Sequence, residues 1–361
     1  MNKTSILWAL VIIALSAIAH AADTPSSYSF RDLGALAGGN AVGRHVSNIN
    51  DQVVGSSGVT HGANNRAFVW TPTKGMTDLG VLAGGDYSEA FSANDLGDIV
   101  GDSNNAVSLR ALLWNEKDGM RELGSLPGDN ASRAYAINNS GQIVGYSSGP
   151  QGLRAVSWSK DLNIQSLGTL PGGDYSEARA INNSGQIVGV STSSSGKHAF
   201  RWTKQEGMMD LGVLPGDTAS EAARITDNGL IVGSSRTRTV SHAFLWTKDS
   251  GIREIGSLPN STYAEALDVN SLGVIVGASQ TPLGGRAFIW SESSGVQDLN
   301  NLLPPAASII LVAALGINER GQIVAIGGKN LGRASDTLMH PDDETHAGPL
   351  HVYLLTPTKG R

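Results

Sequence analysis

Residues 134–145 read Ala134-Tyr135-Ala136-Ile137-Asn138-Asn139-Ser140-Gly141-Gln142-Ile143-Val144-Gly145. The frame returns 44 residues later as Ala178-Arg179-Ala180-Ile181-Asn182-Asn183-Ser184-Gly185-Gln186-Ile187-Val188-Gly189. Each copy places two short β-forming runs around an Asn-Ser-Gly turn, which is a hairpin signal. Outward from this pair, the turn asparagine recurs at Asn50, Asn94, Asn270 and Asn318, with Thr226 taking its place once. A Val-Gly pair ends at Gly55, Gly101, Gly233 and Gly277 and becomes Val324-Ala325 in the last copy. Tryptophans fall at Trp70, Trp114, Trp158, Trp202, Trp246 and Trp290, every interval being 44 residues.

Each repeat holds four short segments, as in Ala178–Asn182, Gln186–Gly189, His198–Trp202 and Met209–Gly212. Four strands in about 44 residues is the spacing of a propeller blade, whereas solenoid coils are shorter. No window outside the N-terminus carries a sustained helical period. The C-terminal run His351-Val352-Tyr353-Leu354-Leu355-Thr356-Pro357-Thr358-Lys359-Gly360 copies Arg66–Gly75, with Leu355 at the tryptophan position. The Asp-Leu-Gly segment that should follow it stands instead at the start, in Tyr28-Ser29-Phe30-Arg31-Asp32-Leu33-Gly34. Pairing of the two ends would remove an exposed sheet edge. The expectation is an all-β, seven-bladed β-propeller of four-stranded blades, the N-terminal strand completing a last blade built from three C-terminal strands.

Composition agrees. Glycine is 45 of 361 residues, about 12% against a usual ~7%, and much of the excess is a few turn positions copied along the chain. There is no cysteine, so disulfides, thiolate metal sites and cysteine nucleophiles are excluded. A net charge of −6 argues against a nucleic-acid partner. Lys3, the apolar run Ile6–Ala19 and Ala19-His20-Ala21 form a secretory signal pattern with cleavage after Ala21. Residues 1–21 are therefore expected to direct export, and 22–361 to form one domain, secreted or periplasmic, monomeric and without a membrane span.

His198-Ala199-Phe200 and His242-Ala243-Phe244, with the Ile-Asn-x-x-Gly-Gln-Ile-Val-Gly runs from Ile137 and Ile181, resemble the HAF-repeat family of extracellular bacterial repeat proteins. The resemblance runs from Asp32 to Leu355 and implies export, not a reaction. Arg66, Arg110, Arg154 and Arg286 stand in place of the triplet histidine, an exchange that a metal ligand would not tolerate.

Repeat positions with changing side chains are the candidates for recognition. One position at the entry to the Ala-x-Ala-Ile-Asn strand reads His45, Glu89, Arg133, Glu177, Glu221, Glu265 and Ala313 around the ring, with Tyr87, Tyr175 and Tyr263 two residues before a glutamate. If that strand is innermost, these groups converge on an acidic channel mouth suited to a cation, a glycan or a basic peptide. The seventh repeat carries an insertion at about 328–350 whose His340, Asp342, Asp343, Glu344 and His346 could hold a divalent metal. No nucleophile elbow, zinc-protease motif or phosphate loop is present. The expectation is a non-catalytic binding or scaffold protein for a glycan, peptide or surface partner; the alternative is a polysaccharide lyase or glycoside hydrolase using the same mouth.

Overall fold

The computed structural model describes residues 24–36, 39–49, 51–58, 65–329 and 350–358. Its architecture is all-β, in four-stranded antiparallel groups that follow the sequence repeat. In the group Ser176–Ile181, Ile187–Ser193, Gly196–Thr203 and Gly207–Asp210, each strand pairs with the next in the chain. The first turn is possible because Gly185 adopts a φ of 76°, which side chains disfavour. Equivalent groups occupy 41–78, 88–122 and 131–168. Groups 219–254 and 263–298 share one eight-stranded sheet, joined by a single parallel contact between Ser241 and Tyr263. The remaining sheet combines Ile310–Ile317, Ile323–Gly328 and His351–Pro357 with Tyr28–Gly34, the last two antiparallel.

The first strands of successive groups touch one another, and Ile310–Ile317 also touches Ala41–Val46. These strands therefore surround a central channel and the Asp-Leu-Gly strands lie outside. The core is a series of layers between neighbouring groups. In one, Val188, Ala199 and Leu211 meet Ile231, Phe244 and Trp246. Trp70, Trp158, Trp246 and Trp290 are buried, whereas Trp114 and Trp202 are half-buried.

Two polar devices lock the groups together, and a third ties strands within a group. Buried serines at the start of the first strand reach the third strand of the preceding group: Ser88, Ser132, Ser176 and Ser220 accept from the amides of Ala67, Ala111, Ala155 and Ala199 at 2.9–3.1 Å. Ala264 has no hydroxyl at this position. There the two backbones join directly, Ser241 N–H donating to Thr262 O at 3.1 Å. That junction is where the two groups merge into the eight-stranded sheet.

The turn asparagines are the second device. Asn138 Oδ1 accepts from the amides of Ser140 and Gln142, as expected of a hairpin former, while its Nδ2 donates to Asn182 O in the next group at 3.1 Å. Asn94, Asn182, Asn270 and Asn318 repeat the outward bond, to Asn138, Thr226, Asn318 and Ser47 respectively.

The third device underlies the interchange of histidine and arginine in several copies of the repeated triplet, whereas His242 and Arg154 reach Asp217 and Asp129 of the preceding turns. His198 Nδ1 lies 2.7 Å from Asp210, Arg66 Nε 3.2 Å from Asp78 and Arg110 Nε 3.1 Å from Glu122. His351 makes the same pair with Asp32 at 2.8 Å, across the two ends of the chain. A carboxylate accepts a hydrogen bond from either side chain, where a metal would not accept a guanidinium.

Candidate functional site: the charged ring and the channel

Each inner strand carries a bulge at the same point, so that one residue is skipped in its pairing with the second strand. The skipped residues are Arg44, Phe91, Tyr135, Arg179, Ala223, Leu267 and Leu315. All seven line one cavity of about 420 Å³ in the channel. A bulge re-aims its extra side chain, and here that aim is the axis. The sequence frame Ala-x-Ala-Ile-Asn contains this position as its variable x. Its variation against fixed neighbours is the signal in the sequence that marks it.

The rim position expected from sequence lies at the same end. Glu89 pairs with Asp102, Arg133 with Tyr146, Glu177 with Val190, Glu221 with Ser234, Glu265 with Ala278 and Ala313 with Ile326. His45 is the exception and is corrected. It pairs with Val54 as Ala180 pairs with Val188, three residues further along the strand, and Val42 takes the rim place. The cause is three extra residues in the first repeat: Gly55 to Trp70 is 15 residues where Gly189 to Trp202 is 13, and the first turn is one residue longer, Ser47 N–H bonding to Gln52 O where Asn182 N–H bonds to Gln186 O. Ser47 therefore occupies the place of Asn182, and Asn50 lies outside the described residues. His45 consequently lines the cavity behind the channel, with Ser92, Ala180, Arg224 and Asp268.

The rim carboxylates are tightly partnered. Glu89 Oε1 accepts from Arg44 Nη2 at 2.8 Å and Ser56 Oγ at 2.9 Å, and its Oε2 from Tyr87 OH at 3.0 Å. Glu177 accepts from Tyr135 OH at 2.7 Å and Tyr175 OH at 3.1 Å. Glu221 is held by three cations: Arg179 and Arg236 at 2.7 Å, Lys197 at 3.1 Å. Tyr263 bonds to Glu265. Arg133 pairs with Asp102, a fully buried second-strand residue that sequence reasoning missed. The ring is thus built of paired charge and does not present a bare acidic surface.

Electrostatics follows from these pairs. Burial alone would raise the Glu89 carboxyl, but Arg44, Ser56 and Arg133 outweigh it and hold it below the ordinary range. Burial also opposes ionisation of Glu221, yet Arg179, Lys197 and Arg236 bring it down to about 2. Asp102 goes the other way: burial, helped by Glu89, lifts it to about 7 despite Arg133. Burial, then Arg224, lowers His45 to about 3, so its ring is neutral.

His340, Asp342, Asp343, Glu344 and His346 lie outside the described residues, as do residues 1–21. Among the described residues no cluster of three or more histidines and carboxylates is arranged to hold a metal. No helix among them is long and apolar enough to cross a membrane.

No family model and no curated protein matches the chain. Similarity appears in solved structures. A streptogramin B lyase superposes with a TM-score of 0.58 at 13% identity, over 93% of this chain and 100% of that one. YCF48 bound to D1 peptide superposes with a TM-score of 0.54 at 11% identity, over 92% of this chain and 96% of that one. The match to TolB from Acinetobacter baumannii has a TM-score of 0.48 at 13% identity and spans 66% of this chain and 61% of that one. At these identities the likeness shows the fold: the chain has a β-propeller architecture, a fold used for binding and scaffold roles as well as for enzymes.

Proposed function

We propose that the chain is an exported, closed, seven-bladed binding propeller. Its ligand, a glycan, a peptide or a surface partner, would be held at the channel end ringed by Glu89, Arg133, Glu177, Glu221 and Glu265. The observation that carries this reading is the convergence of seven bulge side chains, drawn from every group, on one cavity of about 420 Å³. Clefts of that size suit small ligands or one segment of a chain. Propeller neighbours that include a peptide complex support a binding role without fixing the partner. The rim favours recognition over turnover, because Glu89, Glu177 and Glu221 are already engaged by tyrosines and cations.

One observation favours the enzyme alternative, a polysaccharide lyase or glycoside hydrolase: Asp102 is raised and its neighbour Glu89 lowered, a split that acid–base pairs use. Asp102 is fully buried, which keeps it from substrate in this arrangement. The test is glycan and peptide arrays probed with the chain from residue 22, with and without calcium or zinc, beside an Ala223→Trp variant that fills the cavity. Hits that vanish in the variant support the reading; hits that survive it, or none, overturn it. Release of new reducing or unsaturated ends from a bound polysaccharide would install the alternative.

A further inference from the structure

Arg224 differs from the other arginines of the channel. Arg44 lies 2.8 Å from Glu89, Arg179 lies 2.7 Å from Glu221, and Arg133 is paired with Asp102. Arg224 belongs to the next layer, its side chain 22% exposed, and it lines both the channel cavity and the cavity behind it. Its nearest acid is Asp268, and the contact is 3.6 Å, too long for a hydrogen bond. The Asp268 oxygens are otherwise engaged, Oδ1 by Val269 N–H and Oδ2 by Ile317 N–H, each at 2.9 Å. Among the described residues no hydrogen bond reaches the Arg224 guanidinium. A planar cation with up to five donors thus faces a cavity with its hydrogen bonding unspent.

The wall of the cavity is divided. Arg44, Phe91, Tyr135 and Arg179 form a polar and aromatic arc from four consecutive groups, while Ala223, Leu267 and Leu315 form an apolar arc from the next three. Arg224 follows Ala223 in the chain and lines the same cavity as Ala223, Leu267 and Leu315. One guanidinium fork matches one carboxylate in a bidentate pair. A phosphate dianion would bring more charge into a ring that already holds Glu89, Glu177 and Glu221, with no second open cation to meet it.

We infer that the channel binds a small organic acid with an apolar tail, its carboxylate paired with Arg224 and its tail against Ala223, Leu267 and Leu315. The inference rests on one part of the binding reading above, that the channel cavity holds a ligand, and assigns that cavity a small acid in place of a glycan, peptide or surface partner. The volume suits an acid of this kind, and His45, neutral and on the same layer, adds no competing charge.

The probe is hexanoate, compared with hexanamide by calorimetric titration of the chain from residue 22. Hexanoate should bind with the amide at least about 10-fold weaker, because charge-assisted bonds are worth more than neutral ones. Arg224→Met should weaken hexanoate by at least about 10-fold, and Leu315→Asn should weaken it several-fold through the tail. Thermal melting of each variant checks the fold. Should Arg224→Met not fold, Arg224→Lys and Leu315→Asn decide. Equal binding of acid and amide, no binding at about 10 mM ligand, or unchanged affinity in the folded variants overturns the inference. Array hits abolished by Ala223→Trp alongside a negative hexanoate titration would sink the acid assignment alone. Array hits indifferent to that variant would sink the binding reading beneath it.

Discussion

Asn318 Nδ2 donates to the backbone carbonyl of Ser47 at 3.0 Å, a bond that spans 271 residues of sequence and ties the last group to the first. It is the same bond that Asn138 makes to Asn182 across 44 residues. The end-to-end contact is therefore built from the same chemistry as every internal one, with Ser47 as acceptor in place of the usual asparagine. Asn318 is buried and its Oδ1 also accepts from the amides of Arg320 and Gln322.

Asn318→Ala should lower stability by about 2–3 kcal/mol, since it strands buried amides and a carbonyl. Thr226→Asn should raise it by about 0.5–1 kcal/mol by supplying the missing donor toward Asn270. Chemical denaturation of the two variants checks both signs, and a stabilised Asn318→Ala would refute the account.

The repeated glycine of the second strand is a steric requirement. A Cβ on Gly189 would lie 1.9 Å from the Glu177 carbonyl oxygen, and on Gly101 1.8 Å from that of Glu89. The last group has Ala325 at this place, paired with Ala314, and its first strand carries an additional bulge between Leu311 and Ala313 nearby. Gly189→Ala is expected to cost more than about 3 kcal/mol, in the range of severe core overpacking. A melting temperature within a degree or two of the parent would show that the strand pair yields more easily than this packing implies.

Glu221 gives a pH dependence with a definite sign. Its carboxyl ordinarily titrates at 4.5 and is held at about 2 in the folded chain, so the unfolded chain binds its proton first as pH falls. The stabilisation is complete above about 4.5 and is lost between there and about 2. Glu221→Gln should therefore destabilise the protein at neutral pH, on the order of 3 kcal/mol, with the gap to the parent closing as pH falls toward 2. Parallel unfolding curves across that range are the measurement; a gap independent of pH would assign the loss to packing.

Removal of Tyr28–Gly34 should leave His351–Pro357 as an unpaired edge and uncover its partner's contacts. Tyr28 is 1% exposed and pairs with Pro357, and Phe30 packs edge-on against Tyr353 with ring centroids 6.0 Å apart. The shortened chain is expected to melt at lower temperature and to self-associate through that edge. Sedimentation showing an unaltered monomer would argue that the strand is dispensable.

Periodicity made the group architecture legible, because inter-group packing demands the same residue at the same phase: Phe200 and Phe244 are fully buried equivalents, as are Val188 and Val232. The partnership of Tyr28–Gly34 with His351–Pro357 could also be read, since only a chain whose ends meet distributes one repeat over both. The site was half legible. Tyr87, Tyr175 and Glu177 could be placed at one end by phase, but a bulge adds a residue to one strand without marking it, so Arg179 and Tyr135 were not recognised as the channel wall. His45 was misplaced because the first repeat holds three extra residues before Trp70, one in the first turn and two beyond Gly55, and a shift in phase carries a side chain to another layer. Serine at 88, 132 and 176 reads as ordinary strand polarity; its partners lie in the preceding group, at a distance that local pattern does not encode.

The serine, asparagine and ion-pair contacts all step from one repeat to the next or stay within a repeat. None of them counts the repeats. A duplicated or excised unit of 44 residues would keep the partners of most side chains and change only the circumference, whereas a one-residue slip inside a unit rearranges a layer, as the first turn illustrates. Such a chain is forgiving of whole-unit change and intolerant of small shifts. Its bore, and with it the dimensions of whatever the channel admits, is therefore open to revision by recombination on a scale that point substitution cannot reach.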